Sequence, residues 1–214
     1  MSLHSTEASE EKETGRIEAF SDGVFSIAIT LLVLELKVPR LNQLNDETLL
    51  KALAQLWPSY LAFFISFFTI LIMWVNHHRL FTHIKRTDNT FLFLNGLLLM
   101  IVSFVPFPTA LLAEHVRYQY AVTATAVYTG TYVLIGLAFN ALWHYAIYKR
   151  RLLGRAANMT IVRKITISYL FGPPLFLLTF ILAFFNVGAS LAALTTIVIF
   201  YALTVERKNH ENSK

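Results

Sequence analysis

Between Arg16 and Leu36 the chain is apolar and long enough to cross a bilayer, yet it carries three carboxylates, Glu18, Asp22 and Glu35. Only the twelve residues between Asp22 and Glu35 pass without a charge. An ionisable side chain at membrane depth costs roughly 2.5–3.5 kcal/mol on insertion scales, so it is normally held against protein or water. A helix built this way is expected to turn little surface to lipid and to sit at the centre of an assembly. On a helical wheel, Phe20, Val24, Ile27, Leu31 and Leu34 share one narrow sector, with Gly23 and Thr30 on its flank. Asp22, Glu18 and Ser26 point roughly the other way, and Ser21 lies to the side. The polar face is expected to bond to helices behind it. The apolar face would line an axis if copies of the helix meet around one; otherwise this is a buried helix whose Asp22 is satisfied by a neighbour.

The rest of the chain is equally apolar. At 56% hydrophobic and 14% charged residues, with a mean hydropathy of +0.55, it is a polytopic membrane protein and not a soluble domain. It has no cysteine, which excludes disulfides, thiol chemistry and cysteine-held metals. Residues 1–15 are polar and acidic and lack the basic flank and apolar core of a signal peptide, so a short disordered tail is expected. The membrane domain is placed at 16–206 and a second short polar tail at 207–214. A loop is expected over Lys37–Asp46, and a second span from about Leu49 to Leu80. A third span covers about Thr90–Ala113, with Pro106 and Pro108 kinking or ending it. The fourth runs from about Tyr118 to Tyr148, longer than a bilayer needs. From Ile165 to Val205 no charge appears; Asn186-Val187-Gly188 divides this run into a fifth and a sixth span, and Pro173-Pro174 should kink the fifth.

Six spans place both tails and the second and fourth connectors on one side, with 14 of the 18 lysines and arginines. The positive-inside rule then puts both termini in the cytoplasm of a multi-pass plasma-membrane protein. The basic residues between spans thus report topology, and no nucleic-acid partner is expected.

The motif Arg16-x-x-x-Phe20-Ser21-Asp22, opening an apolar helix near the N-terminus, resembles the endolysosomal potassium channel family of the transmembrane protein 175 type and its bacterial homologues. The number and spacing of the later spans extend the resemblance to about Glu206. The resemblance implies an all-α subunit of six transmembrane helices and a potassium-preferring cation channel. It also implies a cyclic homotetramer, because animal members carry two such repeats and this chain carries one. It further implies that the Trp74, Asn76 and His77 region, with Asn95, packs against the Ser21-Asp22 motif.

No Thr-Val-Gly-Tyr-Gly filter and no ring of acidic residues is visible, so selection among monovalent cations falls to the first helix. Ile27, Leu31 and Leu34 are spaced as successive constrictions, about 5 Å apart along the axis. Such apolar rings gate by dewetting. Thr30 offers a hydroxyl beside the stripe; its structural alternative is packing between helices. His77, His78 and His83 resemble the histidine boxes of membrane di-iron oxygenases, but that chemistry draws imidazoles from several segments. The other four histidines are scattered, so no metal, cofactor or enzyme activity is expected. The competing class is a secondary transporter or proton carrier using Asp22 and Glu35 as relay groups. It usually shows paired broken helices related by a repeat, which this sequence lacks.

Overall fold

The computed structural model describes residues 14–40, 45–154 and 157–203 with their side chains, and only the helix backbone over 2–13 and 204–211. The two expected polar tails, 1–15 and 207–214, therefore lie outside the described side chains except at Thr14 and Gly15. Eight α-helices are found among the described residues: α1 (Ser2–Leu31), α2 (Asp46–Gln55), α3 (Trp57–His83), α4 (Asn89–Phe104), α5 (Pro106–His115), α6 (Ala121–Ile147), α7 (Met159–Ala183) and α8 (Val187–Glu211). Among the described residues, five stretches are long and apolar enough to cross a membrane: Thr14–Glu35, Trp57–His83, Asn89–His115, Ala121–Arg150 and Met159–Ala183. The described part of α8, Val187–Leu203, is also apolar.

One expected boundary is corrected. The second span does not begin at Leu49, because α2 is a separate amphipathic helix capped by Asn45, whose Oδ1 accepts from the Thr48 amide at 2.7 Å. The chain breaks at Leu56 and restarts with Pro58 in the first turn of α3, where its missing N–H costs nothing. The third span lies where it is expected, over Asn89–His115, and is interrupted near its prolines: α4 stops at Phe104, and Pro106 opens α5 after Val105.

α6 is the hub, packed against α4, α5, α7 and α8. Of its span 56% is buried, against 22% for the first span and 11% for α7, so α6 forms the inside, with α4, α5, α7 and α8 around it. Its contact with α7 is close because a Cβ on Gly130 or Gly136 would meet Phe180 at 3.3 Å or Phe176 and Pro173 at 3.5 Å. Buried hydroxyls knit α3, α5 and α6 together. Ser66 Oγ lies 2.7 Å from Thr109 Oγ1 and 2.8 Å from Tyr128 Oη, and Tyr132 Oη donates to Ser66 at 3.2 Å. Lipid supplies no partners, so such groups must satisfy one another.

The connectors on the basic side are tied to each other. The Lys85 amide donates to the Leu152 carbonyl at 3.0 Å, and Gly154 donates to His83 at 3.2 Å. Asp88 caps α4 through the Phe91 amide, accepts from Tyr145 Oη at 2.8 Å and pairs with Arg151 at 3.2 Å. Partial burial pushes its carboxyl pKa up, but those hydrogen bonds and the Arg151 charge outweigh burial and hold it below the usual carboxylate range.

Pro173 and Pro174 lie inside α7 without ending it. Pro173 has no N–H to offer the carbonyl four residues back, that of Tyr169. Asn140 of α6 takes its place, its Nδ2 donating to the Tyr169 carbonyl at 2.8 Å and to its own Gly136 carbonyl at 2.9 Å. Asn140→Leu is therefore expected to lower the thermal midpoint of the detergent-solubilised protein by the equivalent of about 1–3 kcal/mol, the cost of an unpaired buried carbonyl. In a Pro173→Ala background, where residue 173 regains its N–H, the same substitution should cost clearly less.

Candidate functional site: the two faces of the first helix

α1 has a buried seam and an exposed stripe. Ser21, Phe25, Ala28 and Leu32 are buried at 0–1% exposure against α3 and α4, a three-four spacing that fixes one face of the helix inward. On the other side Phe20, Ile27 and Leu34 are 67%, 60% and 69% exposed, with Gly23, Thr30 and Leu31 also exposed between them. Val24 stands at the edge of the seam, partly buried against the core. After Leu31 the helix tightens into a 3-10 turn over Leu32–Glu35. Side chains three apart eclipse in that geometry, so Leu34 projects on the same side as Leu31. Thr30 Oγ1 donates to the Ile27 carbonyl at 2.9 Å, leaving its oxygen as an acceptor on the exposed side.

Behind the stripe the polar residues are engaged one by one. Trp74 Nε1 donates to Asp22 Oδ1 at 2.8 Å. One turn away, His78 Nδ1 donates to Glu18 Oε1 at 2.6 Å, and the His78 and Trp74 rings stack at 6.2 Å. Glu18 and Asp22 are four apart on α1, as Trp74 and His78 are on α3, so the two pairs form successive rungs between antiparallel helices. A third link is a relay of donors. His77 Nε2 donates to Asn95 Oδ1 at 2.9 Å, Asn95 Nδ2 donates to Ser21 Oγ at 3.0 Å, and Ser21 Oγ donates to the Ile17 carbonyl at 2.8 Å. Because Asn95 Oδ1 can only accept, His77 carries its proton on Nε2. Its Nδ1 has no hydrogen-bond partner among the described residues; the ring lies against Phe25 and Phe81.

Among the motif residues, Ser21, Asp22, Trp74, His77 and Asn95 thus meet at one place. Asn76 does not join them. It faces the opposite side of α3, where its backbone carbonyl accepts from Tyr169 Oη at 3.0 Å and its side chain lines a cleft with α7 and α8. One helical turn carries only every third or fourth residue to the same face, so Asn76 could not share a side with both Trp74 and His77. Arg16 and Phe20 are exposed. The Glu18–His78 rung escaped the sequence reading, although the matched i,i+4 spacing of the two pairs was its visible signal. At the far end, Lys37 pairs with Glu114 at the end of α5, and that hydrogen bond raises the Lys37 ammonium above the ordinary lysine range. No group of three His, Cys, Asp or Glu able to hold a metal is present among the described residues.

A relative from Streptomyces collinus, named a potassium channel, is 44% identical over 88% of this chain and 91% of its own length. Another named potassium channel, from Chamaesiphon minutus, is 53% identical over 92% of this chain and 97% of its own. The sequence profile described as endosomal/lysosomal potassium channel TMEM175 matches residues 16–106, which span α1 and the helices that anchor it. The chain belongs to the TMEM175 channel family. The crystal structure of a lysosomal potassium-selective TMEM175 homologue from Chamaesiphon minutus superposes with a TM-score of 0.83 at 50% identity, covering 91% of this chain and 98% of that one. TMEM175 proteins are ion channels and not enzymes, which removes the oxygenase reading of His77, His78 and His83.

The anchoring network predicts how Asp22→Ala behaves. It leaves the Trp74 indole without its acceptor and loses a hydrogen bond to a charged group, about 1.5–3 kcal/mol. The yield of assembled protein on size exclusion and its thermal midpoint should both fall. The reversal potential of the channels that remain should stay at the wild-type value, since Asp22 is turned away from the exposed stripe.

Proposed function

We propose that this chain is the subunit of a potassium-preferring cation channel of the plasma membrane, in which α1 from four copies surrounds a central pore. Each subunit crosses six times, α8 completing the set, with both termini on the cytoplasmic side. The observation that carries the reading is the division of α1. Glu18 and Asp22 are held by α3, while the opposite stripe is exposed among the described residues. That stripe is stepped, with Gly23 and Thr30 interleaved among Phe20, Ile27, Leu31 and Leu34. The exposed surface of α4 is by contrast dominated by bulky residues such as Phe93, Leu97, Met100 and Phe104, which suit lipid. Only one such helix exists per chain, so cyclic symmetry is the simplest way to enclose an axis with it.

Within the pore, Ile27, Leu31 and Leu34 act as apolar rings, and Thr30 presents an oxygen just beyond Ile27. Ions passing a narrow apolar ring shed water that nothing replaces, and potassium loses its hydration more readily than sodium. Ile27 is the β-branched member, with χ1 nearly fixed in a helix, so its ring has a defined bore and serves as the filter. Leu31 and Leu34 swing more freely and form the gate. The carrier alternative uses Asp22 and Glu35 as relay groups; against it, Asp22 is tied to Trp74 behind the stripe, and Glu35 stands apart at the end of the 3-10 turn.

Recordings under bi-ionic potassium and sodium test this. Wild-type protein should show a reversal potential on the potassium side. Ile27→Asn should raise total cation flux and move the reversal towards zero, because an amide ring hydrates the constriction. Leu34→Ala should raise flux with less change in preference. Unchanged selectivity in Ile27→Asn with a large change in Thr30→Ala would transfer the filter to the hydroxyl ring, and proton-coupled uptake without channel currents would replace the channel by a carrier.

A further inference from the structure

A cleft lies inside the subunit between α3, α6, α7 and α8, apart from the exposed stripe of α1. It offers about 120 Å³ and is partly open to the outside. Its walls are mostly apolar, with Ile72, Ile135, Phe139, Phe176, Ile197 and Val198 among them. Most of the polar groups that reach it are already engaged. Asn140 Nδ2 donates to the Gly136 and Tyr169 carbonyls, and Thr69 and Ser168 each donate to the carbonyl one turn back on their own helix. Tyr169 Oη donates to the Asn76 carbonyl at 3.0 Å, and Arg79 has a partner of its own. Among the described residues, the lining therefore offers no free charge to an ionic ligand.

Two neutral groups in the lining are unspent. Among the described residues, neither the Asn76 side-chain amide nor the Tyr201 hydroxyl makes a hydrogen bond, although both sit on membrane helices where water is scarce. An unpaired polar group in such a medium is costly. Both stand against the same part of α7. Tyr169 Oη reaches the backbone of Asn76, and Gly172, three residues further on, faces Tyr201. The space beside them is open for want of a side chain: a Cβ built on Gly172 would meet only Tyr201 Oη, at 3.9 Å.

We propose that this cleft binds a small neutral amphiphile, one ring in size and bearing a hydroxyl, with the hydroxyl at Asn76 and Tyr201 and the ring among the apolar walls. Size sets the body of the ligand. An apolar protein cavity of about 150 Å³ accepts benzene, so 120 Å³ with an opening takes one ring and little more. Polarity sets its handle. A hydroxyl both donates and accepts, and the Asn76 amide and the Tyr201 hydroxyl each offer both roles. Water fits the site less well. At about 30 Å³ each, roughly four waters would fill it, and two unspent groups on apolar walls leave them to bond mainly to one another.

Photolabelling of the whole purified protein with a diazirine-bearing phenol, the labelled positions read by peptide mass spectrometry, tests the assignment. The label should fall on cleft residues such as Ile72, Phe176 and Val198. Unlabelled phenol should displace it about tenfold more effectively than benzene at matched membrane concentrations. Tyr201→Phe, which removes one of the two polar groups, should cut that preference about threefold while leaving competition by benzene unchanged. Gly172→Leu, which fills the cleft, should abolish labelling there. Label spread over the lipid-facing helices and absent from the cleft would overturn the proposal, as would equal competition by phenol and benzene. So would undiminished cleft labelling in folded Gly172→Leu or, should that variant not fold, an unchanged preference for phenol in Tyr201→Phe.

Discussion

A carboxylate at membrane depth is tolerable only where protein groups stand in for water, and α1 meets that demand on one side alone. Trp74 and His78 on α3 hold Asp22 and Glu18, and Asn95 on α4 holds Ser21. Three polar links on one face do more than offset desolvation. They set the rotation of the helix about its own axis, since turning α1 by one residue would break every rung at once. With rotation fixed from behind, the side chains at 20, 27, 31 and 34 have one direction left, away from the subunit. The polar seam and the apolar stripe are two consequences of a single constraint.

The seam can fix α1 only if α3 and α4 are themselves held. The Ser66, Thr109, Tyr128 and Tyr132 hydroxyls lock α3 to α5 and α6, where any unmade hydrogen bond would be left in an apolar medium. At the basic end, Asp88 gathers the start of α4, Tyr145 of α6 and Arg151 of the following connector. At the opposite end the Lys37–Glu114 pair joins the segment after α1 to α5. It is exposed and adds little energy, but it restrains the chain just beyond Leu34. α7 packs closely on α6 at Gly130 and Gly136, and an internal cleft survives beside its prolines, between α3, α6, α7 and α8.

Much of this was legible in the sequence because it follows from simple periodicity. The charged interruptions of the first span, the three-four spacing of its apolar residues and the side bias of lysine and arginine required no tertiary information. The motif from Arg16 to Asp22 pointed to the family that the relatives establish. What stayed hidden depends on geometry across helices. Asn76 is adjacent in sequence to His77 yet faces another neighbour, because successive residues of a helix diverge by about 100°. The separate α2 was masked by continuous hydropathy from Leu49 onward, although Pro58 marked the break. Pro106 was legible as a discontinuity but not as a restart, since only the path of α5 decides between them. The service that Asn140 renders to the Tyr169 carbonyl could be inferred from Pro173 only once α6 and α7 were known to touch.

The central claim is that the unpartnered stripe of α1 faces the ion path. The chain has no cysteine, so a single introduced thiol is an unambiguous probe. The most direct measurement is current block by a charged thiol reagent in single-cysteine variants at Ile27, Leu31 and Leu34, compared with Leu32 in the buried seam and Phe93 on the outer face of α4. The account predicts rapid block at the three stripe positions and unmodified currents at Leu32 and Phe93. Rapid block at Phe93, with the stripe positions insensitive, would place the ion path elsewhere and contradict it.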